Sequence, residues 1–260
     1  MFHYRDLLWI LVRRDFVARY QQTILGPLWF VIQPLITTGA FTLVFGNGLG
    51  TSTDGIKPAF LFYLCGMLAW GYFSAVLSGA GNTFHMNAPV FTKVYFPRLI
   101  VPLAVTIGSL APFVLQLIVF LALYVPALLG SDAWRPNLAV LALLPVGMVQ
   151  TAVFALGVSL LTSGLSAKYR DLQHALPFLM QLWLFVTPVI YPLSQLRGAA
   201  RWLAALNPLT PVVESFRLGF FGIGTVSLEL LAVSLAGTVA VFFAGLFWFQ
   251  RAERTFADTV

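Results

Sequence analysis

The stretch LIVPLAVTIGSLAPFVLQLIVFLALYVPALLGS, residues 99–131, carries no charged side chain over 33 positions. A helix rises 1.5 Å per residue, and about 20 apolar residues cross the ~30 Å hydrocarbon core of a bilayer. A run of this length crosses once and leaves no room for a comfortable second crossing with its turn. The pattern recurs on both sides of it. Residues 20–53, 58–92, 136–167, 172–195 and 230–250 are equally free of Lys, Arg, Asp and Glu. Six runs predict six transmembrane helices, with cores at 28–45, 59–80, 101–125, 138–161, 175–191 and 228–249. A closed β-barrel, the other structure that satisfies its backbone within a membrane, needs segments of about ten residues alternating apolar and polar. Continuous apolar blocks stand here instead.

Composition agrees. Of 260 residues, 59% are apolar and 9% charged, and the mean hydropathy is +0.88. Soluble domains average about 45–50% apolar and about 25% charged, and a chain of this size cannot keep such an excess away from water. Disorder, a disulfide scaffold and an ordinary soluble enzyme are excluded together. The reading is a single all-α polytopic membrane domain over residues 1–260. Cys65, alone in the chain, lies within an apolar run and reads as a small buried hydrophobe.

The net charge of +6 reports orientation rather than nucleic acid, because the basic residues sit between the apolar runs. Six spans place both termini on one side. That side carries Arg5, Arg13, Arg14, Arg19, Lys93, Arg98, Lys168, Arg170, Arg251 and Arg254, against Lys57, Arg135, Arg197, Arg201 and Arg217 opposite. The positive-inside rule makes the termini cytoplasmic. The mixed-charge N-terminus does not read as a signal peptide.

Two segments are not simple connections. Residues 4–22 predict a helix on the inner surface, with Trp9, Val12, Phe16 and Tyr20 as its apolar stripe and arginines around it; residues 1–25 form this interfacial unit with its following turn. Residues 194–226, between spans 5 and 6, are too apolar for a solvated loop yet are broken by Asn207-Pro208 and Pro211. They predict two short re-entrant helices on the outer face, at 199–206 and 211–221, since proline suits a helix's first turn. Span 6 and a tail at 251–260 follow. The broken segment is read two ways, as a gate at a pore mouth or as a packing element at the membrane surface.

The chain carries little chemistry of its own. No phosphate-binding Gly-x-x-x-x-Gly-Lys-Ser/Thr occurs around Lys57, Lys93 or Lys168, no paired cysteines or His-Glu-x-x-His motif offers a metal site, and His3, His85 and His174 lie far apart. The six cores lack Lys, Arg, Asp and His, and Glu229 stands at the start of a span, so an ion relay at membrane depth is also disfavoured. Energy for transport must then come from outside the chain. The inner loops NAPVFTKVYFPR (87–98) and SAKYRDLQHALP (166–177) mix charge with aromatics. Tyr169, Arg170 and Asp171 present a ring, a fork of donors and an acceptor side by side, a set that can wedge into a groove on a partner. The plainer reading is a positive-inside loop whose Asp171 caps the next helix.

Four stretches together resemble the permease subunits of type-2 ABC exporters that move lipid-linked polysaccharides, the Wzm/TagG/KpsM group. They are RRDFVARYQQTILGPLWFVIQPL (13–35), KYRDL (168–172), FVTPVIYPL (185–193) and NPLTPVVESFR (207–217). The resemblance covers essentially the whole chain. It implies a homodimer bound to two copies of a separate ATPase subunit, which holds ATP and Mg while this chain holds no cofactor. It implies that Lys168, Tyr169, Arg170 and Asp171 couple to the ATPase, with Lys93 and Phe96 as a second contact. It places the lipid-linked head group near the Leu25-Gly26 turn, where Arg14 or Arg19 meets its pyrophosphate. It also makes Trp202, Asn207, Pro208, Pro211, Glu214 and Arg217 parts of an outer gate.

Aromatic rings offer stacking faces to a sliding sugar chain without fixing a register. Trp29, Phe30, Trp183, Phe185 and Tyr191, on spans 1 and 5, are the candidates for lining a channel; an interfacial aromatic belt is the plainer alternative. The implied setting is a bacterial inner membrane and an O-antigen, capsule or teichoic-acid-like substrate of lipopolysaccharide-type biosynthesis. Rival readings are a type-2 exporter of a drug or lipid, and an intramembrane lipid-processing enzyme, which would need buried acids, histidines or a metal set that the spans lack.

Overall fold

A computed structural model describes residues 4–20, 23–87, 91, 96–130 and 134–258, and every regular element among them is helical. In chain order these are α1 (Arg5–Tyr20), α2 (Trp29–Phe41), α3 (Ala59–Ala80), α4 (Thr83–Met86), α5 (Ile100–Gly108) and α6 (Leu110–Leu129). There follow α7 (Leu138–Ser166), α8 (Asp171–Val186), α9 (Gly198–Leu206), α10 (Thr210–Phe221) and α11 (Leu228–Asp258).

Five helical stretches are long and apolar enough to cross a membrane: Gly26–Gly48, Ala59–Ala80, Ile100–Leu129, Leu138–Ser166 and Leu228–Arg254. They match five of the six expected cores. The first joins a 3-10 turn (Gly26–Leu28), α2 and a wider π-helical end (Thr42–Gly48). The third is broken once, at Ser109, between α5 and α6. Pro112 explains the break, since it lacks the N–H that would bond Gly108 and its ring crowds that carbonyl.

The expected span over 175–191 differs. α8 has 16 residues and stops at Val186. Thr187 precedes Pro188, and the proline ring disfavours helical geometry in the residue before it. Thr187 accordingly turns extended, with φ −82° and ψ 134°. The chain then runs without regular structure to a 3-10 turn at Leu193–Gln195. The two short helices expected after it are present as α9 and α10, within one residue of the expected starts.

α3 is the hub, packed by α2, α5, α6, α7, α8 and α10. Phe62, Tyr63, Cys65, Ala69, Phe73 and Val76 on it are fully buried. A smaller core joins α1 to the opposite end of the fold, with Leu11, Phe84, Phe91, Phe96, Ile100 and Phe249. α1 packs on this core through one of its faces. Leu11 is buried and Leu7, Leu8 and Val12 pack beside it, at helical spacing, while Trp9 is 59% exposed. Val12 thus belongs to the packed face and Trp9 does not; the side chains of Phe16 and Tyr20 lie outside the described residues.

The most extensive helix pair is α7 with α11. Glycines bring their backbones together: a Cβ on Gly245 would stand 2.1 Å from the carbonyl oxygen of Gly157, and one on Gly164 would stand 2.8 Å from that of Trp248. Small residues at such a crossing let helices associate by close packing where lipid offers no hydrophobic drive. Gly245→Val is expected to force the pair apart at a cost of at least about 1–3 kcal/mol, read as a lower Tm in detergent. Gly39→Ala, where a Cβ meets nothing within 4 Å, is the control and should leave Tm unchanged or slightly raised.

Candidate functional site

The one ion pair buried among the described residues lies within the broken segment, on α10. Glu214 and Arg217 sit one helical turn apart on α10, with side chains 1% and 2% exposed, and Arg217 Nη1 donates to Glu214 Oε1 at 2.9 Å. Proline at the first turn starts that helix and Gly222, at φ 72°, ends it in the left-handed conformation glycine adopts without strain. The pair does more than neutralise itself. Arg217 Nη2 donates to the Val189 carbonyl at 2.9 Å, and Nη1 reaches the Tyr191 carbonyl at 3.4 Å. Glu214 Oε1 accepts from the Leu193 N–H at 3.3 Å and Oε2 from the Thr225 N–H at 2.8 Å. Four backbone groups of two non-helical segments thus find their partners on one ion pair. The guanidinium also stacks 3.7 Å above the Phe62 ring, and Gly66 gives it room, since a Cβ there would lie 3.2 Å from Nη2.

Asn207 completes this region. Its Nδ2 donates to Thr187 Oγ1 at 2.8 Å, and its Oδ1 accepts from the Leu209 N–H at 3.1 Å. The carbonyl of Pro208 accepts from Ser234 on α11 at 2.7 Å. The structure therefore brings together Tyr191, Asn207, Pro208, Pro211, Glu214 and Arg217, all but Tyr191 buried, whereas Trp202 on α9 is 74% exposed. Thr187 and Thr225 were not singled out by sequence; the Pro188 that frees Thr187 from the helix was the available signal.

At the other end of α8, Lys168, Tyr169 and Arg170 form an exposed turn after α7, and Asp171 opens the helix. Lys168 Nζ lies 5.0 Å from the centre of the Tyr169 ring. Among the described residues Arg170 and Asp171 make no ion pair, so a fork of donors and a carboxylate are both presented outward. Lys93 lies outside the described residues, and Phe96 is buried in the small core, 5.7 Å from the Phe91 ring centre. In the N-terminal region, Arg14 is tied to its neighbour Asp15 at 2.8 Å and the side chain of Arg19 lies outside the described residues. The Leu25-Gly26 turn is exposed, with Gly26 at φ 50°.

Of the channel candidates, Trp29 and Phe185 are exposed. Trp183 packs into the large core, 5.1 Å from Phe73 and 5.8 Å from Phe154, and Tyr191 folds back to donate to the Phe185 carbonyl at 2.6 Å. Phe30 lines a cavity of about 380 Å³ with α3, α6 and α8, whose polar members Gln33 and Gln116 a search confined to ionisable groups passes over. Among the described residues there is no cluster of three His, Cys, Asp or Glu that could hold a metal ion.

The model of the ABC-2 type transporter family matches residues 6–221. The chain belongs to that family. It is 30% identical over 262 residues to the O-antigen export system permease protein RfbA of Myxococcus xanthus, covering all of this chain and 97% of the relative. It is 25% identical to a Klebsiella pneumoniae protein of the same name, over 97% and 94% of the two chains. The polysialic acid transport protein KpsM of Escherichia coli is 25% identical over 92% of this chain and 91% of its own. The family match spans α8, the exposed turn before it and the whole of α10 with its ion pair.

For this ABC-2 chain the ion pair makes a specific energetic expectation. Arg217→Met strands a buried carboxylate and should cost about 3–5 kcal/mol. An isolated buried pair is often replaced by apolar residues without loss. Here Glu214→Met/Arg217→Met still orphans four backbone groups at roughly 1 kcal/mol or more each, so the double variant should remain well below wild type in a detergent melt. Full recovery of Tm would show that those groups do not depend on the pair.

Proposed function

We propose that this chain is the membrane permease of an ATP-driven exporter that carries a lipid-linked polysaccharide of the O-antigen, capsule or teichoic-acid type across a bacterial inner membrane. The observation that carries this is end-to-end similarity to O-antigen export permeases, including all of this chain in one case. The chain works as a homodimer with two copies of an ATPase subunit that binds ATP and Mg. It supplies the path and the coupling surface rather than the chemistry.

Both termini are cytoplasmic on this reading, and the fifth of the six crossings is composite. α8 accounts for about 24 Å at 1.5 Å per residue, and the extended passage from Thr187 carries the chain across the rest of the ~30 Å core. Unwound backbone is tolerated at such depth only against protein, and the bonds from Glu214 and Arg217 meet that need. α9 and α10 then dip into the outer face as the gate. The exposed Lys168, Tyr169, Arg170 and Asp171 dock on the ATPase; Lys93 adds a second contact, and Phe96, expected at the same contact from the sequence, is buried. Arg14, Arg19 and the Leu25-Gly26 turn receive the head group, and Trp29, Phe30, Phe185 and Tyr191 offer stacking faces along the route, with Trp183 packed behind them.

One observation favours a second reading, export of a lipid or small hydrophobic molecule. A cavity of about 590 Å³ between α6, α7 and α10 is lined by Leu110, Leu117, Leu144, Met148, Phe216 and Phe220. Its lining suits a hydrocarbon chain, which a lipid-linked glycan also possesses.

The first test is purification of the tagged chain in mild detergent. A stoichiometric nucleotide-binding partner with ATP turnover is expected, and a stable chain that purifies alone would remove the exporter reading. Arg170→Glu or Asp171→Arg should then lower export by about tenfold or more through loss of a charge-assisted contact, at unchanged amounts of permease in the membrane. Normal export from both would exclude the turn as the coupling site. Gly198→Cys should label from outside intact cells; labelling only after the inner membrane is opened would overturn the six-crossing topology.

A further inference from the structure

We infer that the cavity between α2, α3, α6 and α8 is a hydrogen-bonding site for a neutral, hydroxyl-rich segment of the transported chain, gripped by the amides of Gln33 and Gln116. This deepens the polysaccharide reading and rests on it. The cavity measures about 380 Å³, and none of its lining side chains is charged. Gln33 is exposed on α2 and Gln116 half-buried on α6, and among the described residues neither amide has a hydrogen-bond partner. Both lie on stretches long and apolar enough to span a membrane. Amides left without partners at that depth are costly unless water or a ligand meets them.

The rest of the wall has the same character. Ser74 and Ser78 on α3 spend their hydroxyl protons on the carbonyls of Gly71 and Ser74, at 3.1 and 2.7 Å. Their oxygens keep lone pairs as acceptors, that of Ser78 lying 3.8 Å from Met180 Sδ in the same wall, while each glutamine amide adds two donors and an acceptor. A sugar hydroxyl donates and accepts at once, so it finds both partners here; a hydrocarbon tail finds none. Absence of charge keeps each contact weak enough for a polymer to move on. Gly71 leaves room for the amide: a Cβ there would stand 2.9 Å from Gln116 Oε1, so a side chain at this position would push the amide aside. The apolar cavity on the other side of α6 supplies the contrast, since its wall holds no side-chain amide and is lined mainly by Leu, Phe, Met, Val and Pro.

The test uses cells that lack their own permease and carry this chain with its ATPase partner. Gln33→Leu/Gln116→Leu keeps the spans apolar and should insert normally, yet lower surface polysaccharide by about three- to tenfold, the worth of one ordinary hydrogen bond. Ser74→Cys provides a readout that a purely structural role would not move, against the silent background of fully buried Cys65. A small water-soluble methanethiosulfonate should label it, and at least about threefold more slowly in cells making the glycan than in a host that makes none, the fraction of time a weakly bound segment covers the site. Wild-type export from the double Leu variant, an unreactive Cys at position 74, or labelling indifferent to the glycan would each overturn the inference while leaving the exporter reading intact. Failure of the unaltered chain to restore surface polysaccharide would instead overturn that reading, and this inference with it.

Discussion

Backbone that is neither helix nor barrel cannot sit in hydrocarbon without partners for its N–H and C=O groups. The Glu214–Arg217 pair supplies such partners to the backbone at Val189, Tyr191, Leu193 and Thr225. Pro188 stops α8, and the chain that follows has carbonyls at Val189 and Tyr191 and an N–H at Leu193 without helical partners. The guanidinium takes the carbonyls and the carboxylate takes the N–H groups of Leu193 and Thr225. Charge-assisted bonds are the stronger kind, and two charges on one helical turn cancel each other's field. The surroundings follow from the pair. α3 needs a ring at Phe62 beneath the guanidinium and no side chain at Gly66 beside it. With α10 held in this orientation, Phe220 packs edge-on against Phe120 at 4.8 Å, and its carbonyl accepts from the Tyr124 hydroxyl.

Much of this was legible in the residues. Charges and prolines mark the ends of five spanning stretches because hydrocarbon excludes the first and helix geometry the second. Asn207-Pro208 and Pro211 announce the break between α9 and α10, whose starts fall within one residue of the expected ones. Thr187-Pro188 announces the end of α8 just as directly, but hydropathy alone carries the run past it to Tyr191. A window of apolar residues measures solvent preference and says nothing about whether the backbone within it can bond to itself.

Side-chain facing was less legible, for a related reason. In a soluble helix polarity separates the two faces, whereas in a membrane both lipid and core prefer apolar groups. Trp183 and Phe185 lie two residues apart with equal hydropathic claims, yet one is packed between Phe73 and Phe154 and the other is exposed. On α1, a stripe through Trp9 and one through Leu8 and Leu11 are both available at helical spacing, and only the neighbouring α5 decides between them. Gln33 and Gln116 are the opposite case. Their polarity is visible in the sequence, but their convergence on one cavity depends on how α2 and α6 lie against α3.

α8 joins the exposed charged turn to the neighbourhood of the buried ion pair. Asp171, at its first position, belongs to the exposed turn with Tyr169 and Arg170; Thr187, just past its last, is tied to Asn207 and lies two residues from the carbonyl that Arg217 holds. Between them the helix has one fully buried residue, Leu176, in contrast to the densely buried α3. A helix so lightly packed can shift as a rigid body at little cost to the core, whereas movement of α3 would disturb packing on every side. On the exporter reading, a push on the turn therefore has a stiff path of about 24 Å to the ion pair. What it meets there is a two-ended clasp, because moving Val189 and Tyr191 away from Arg217 leaves buried donors and acceptors without partners. That penalty opposes displacement of the segment, so the interaction that satisfies the broken backbone is also the one that resists its movement.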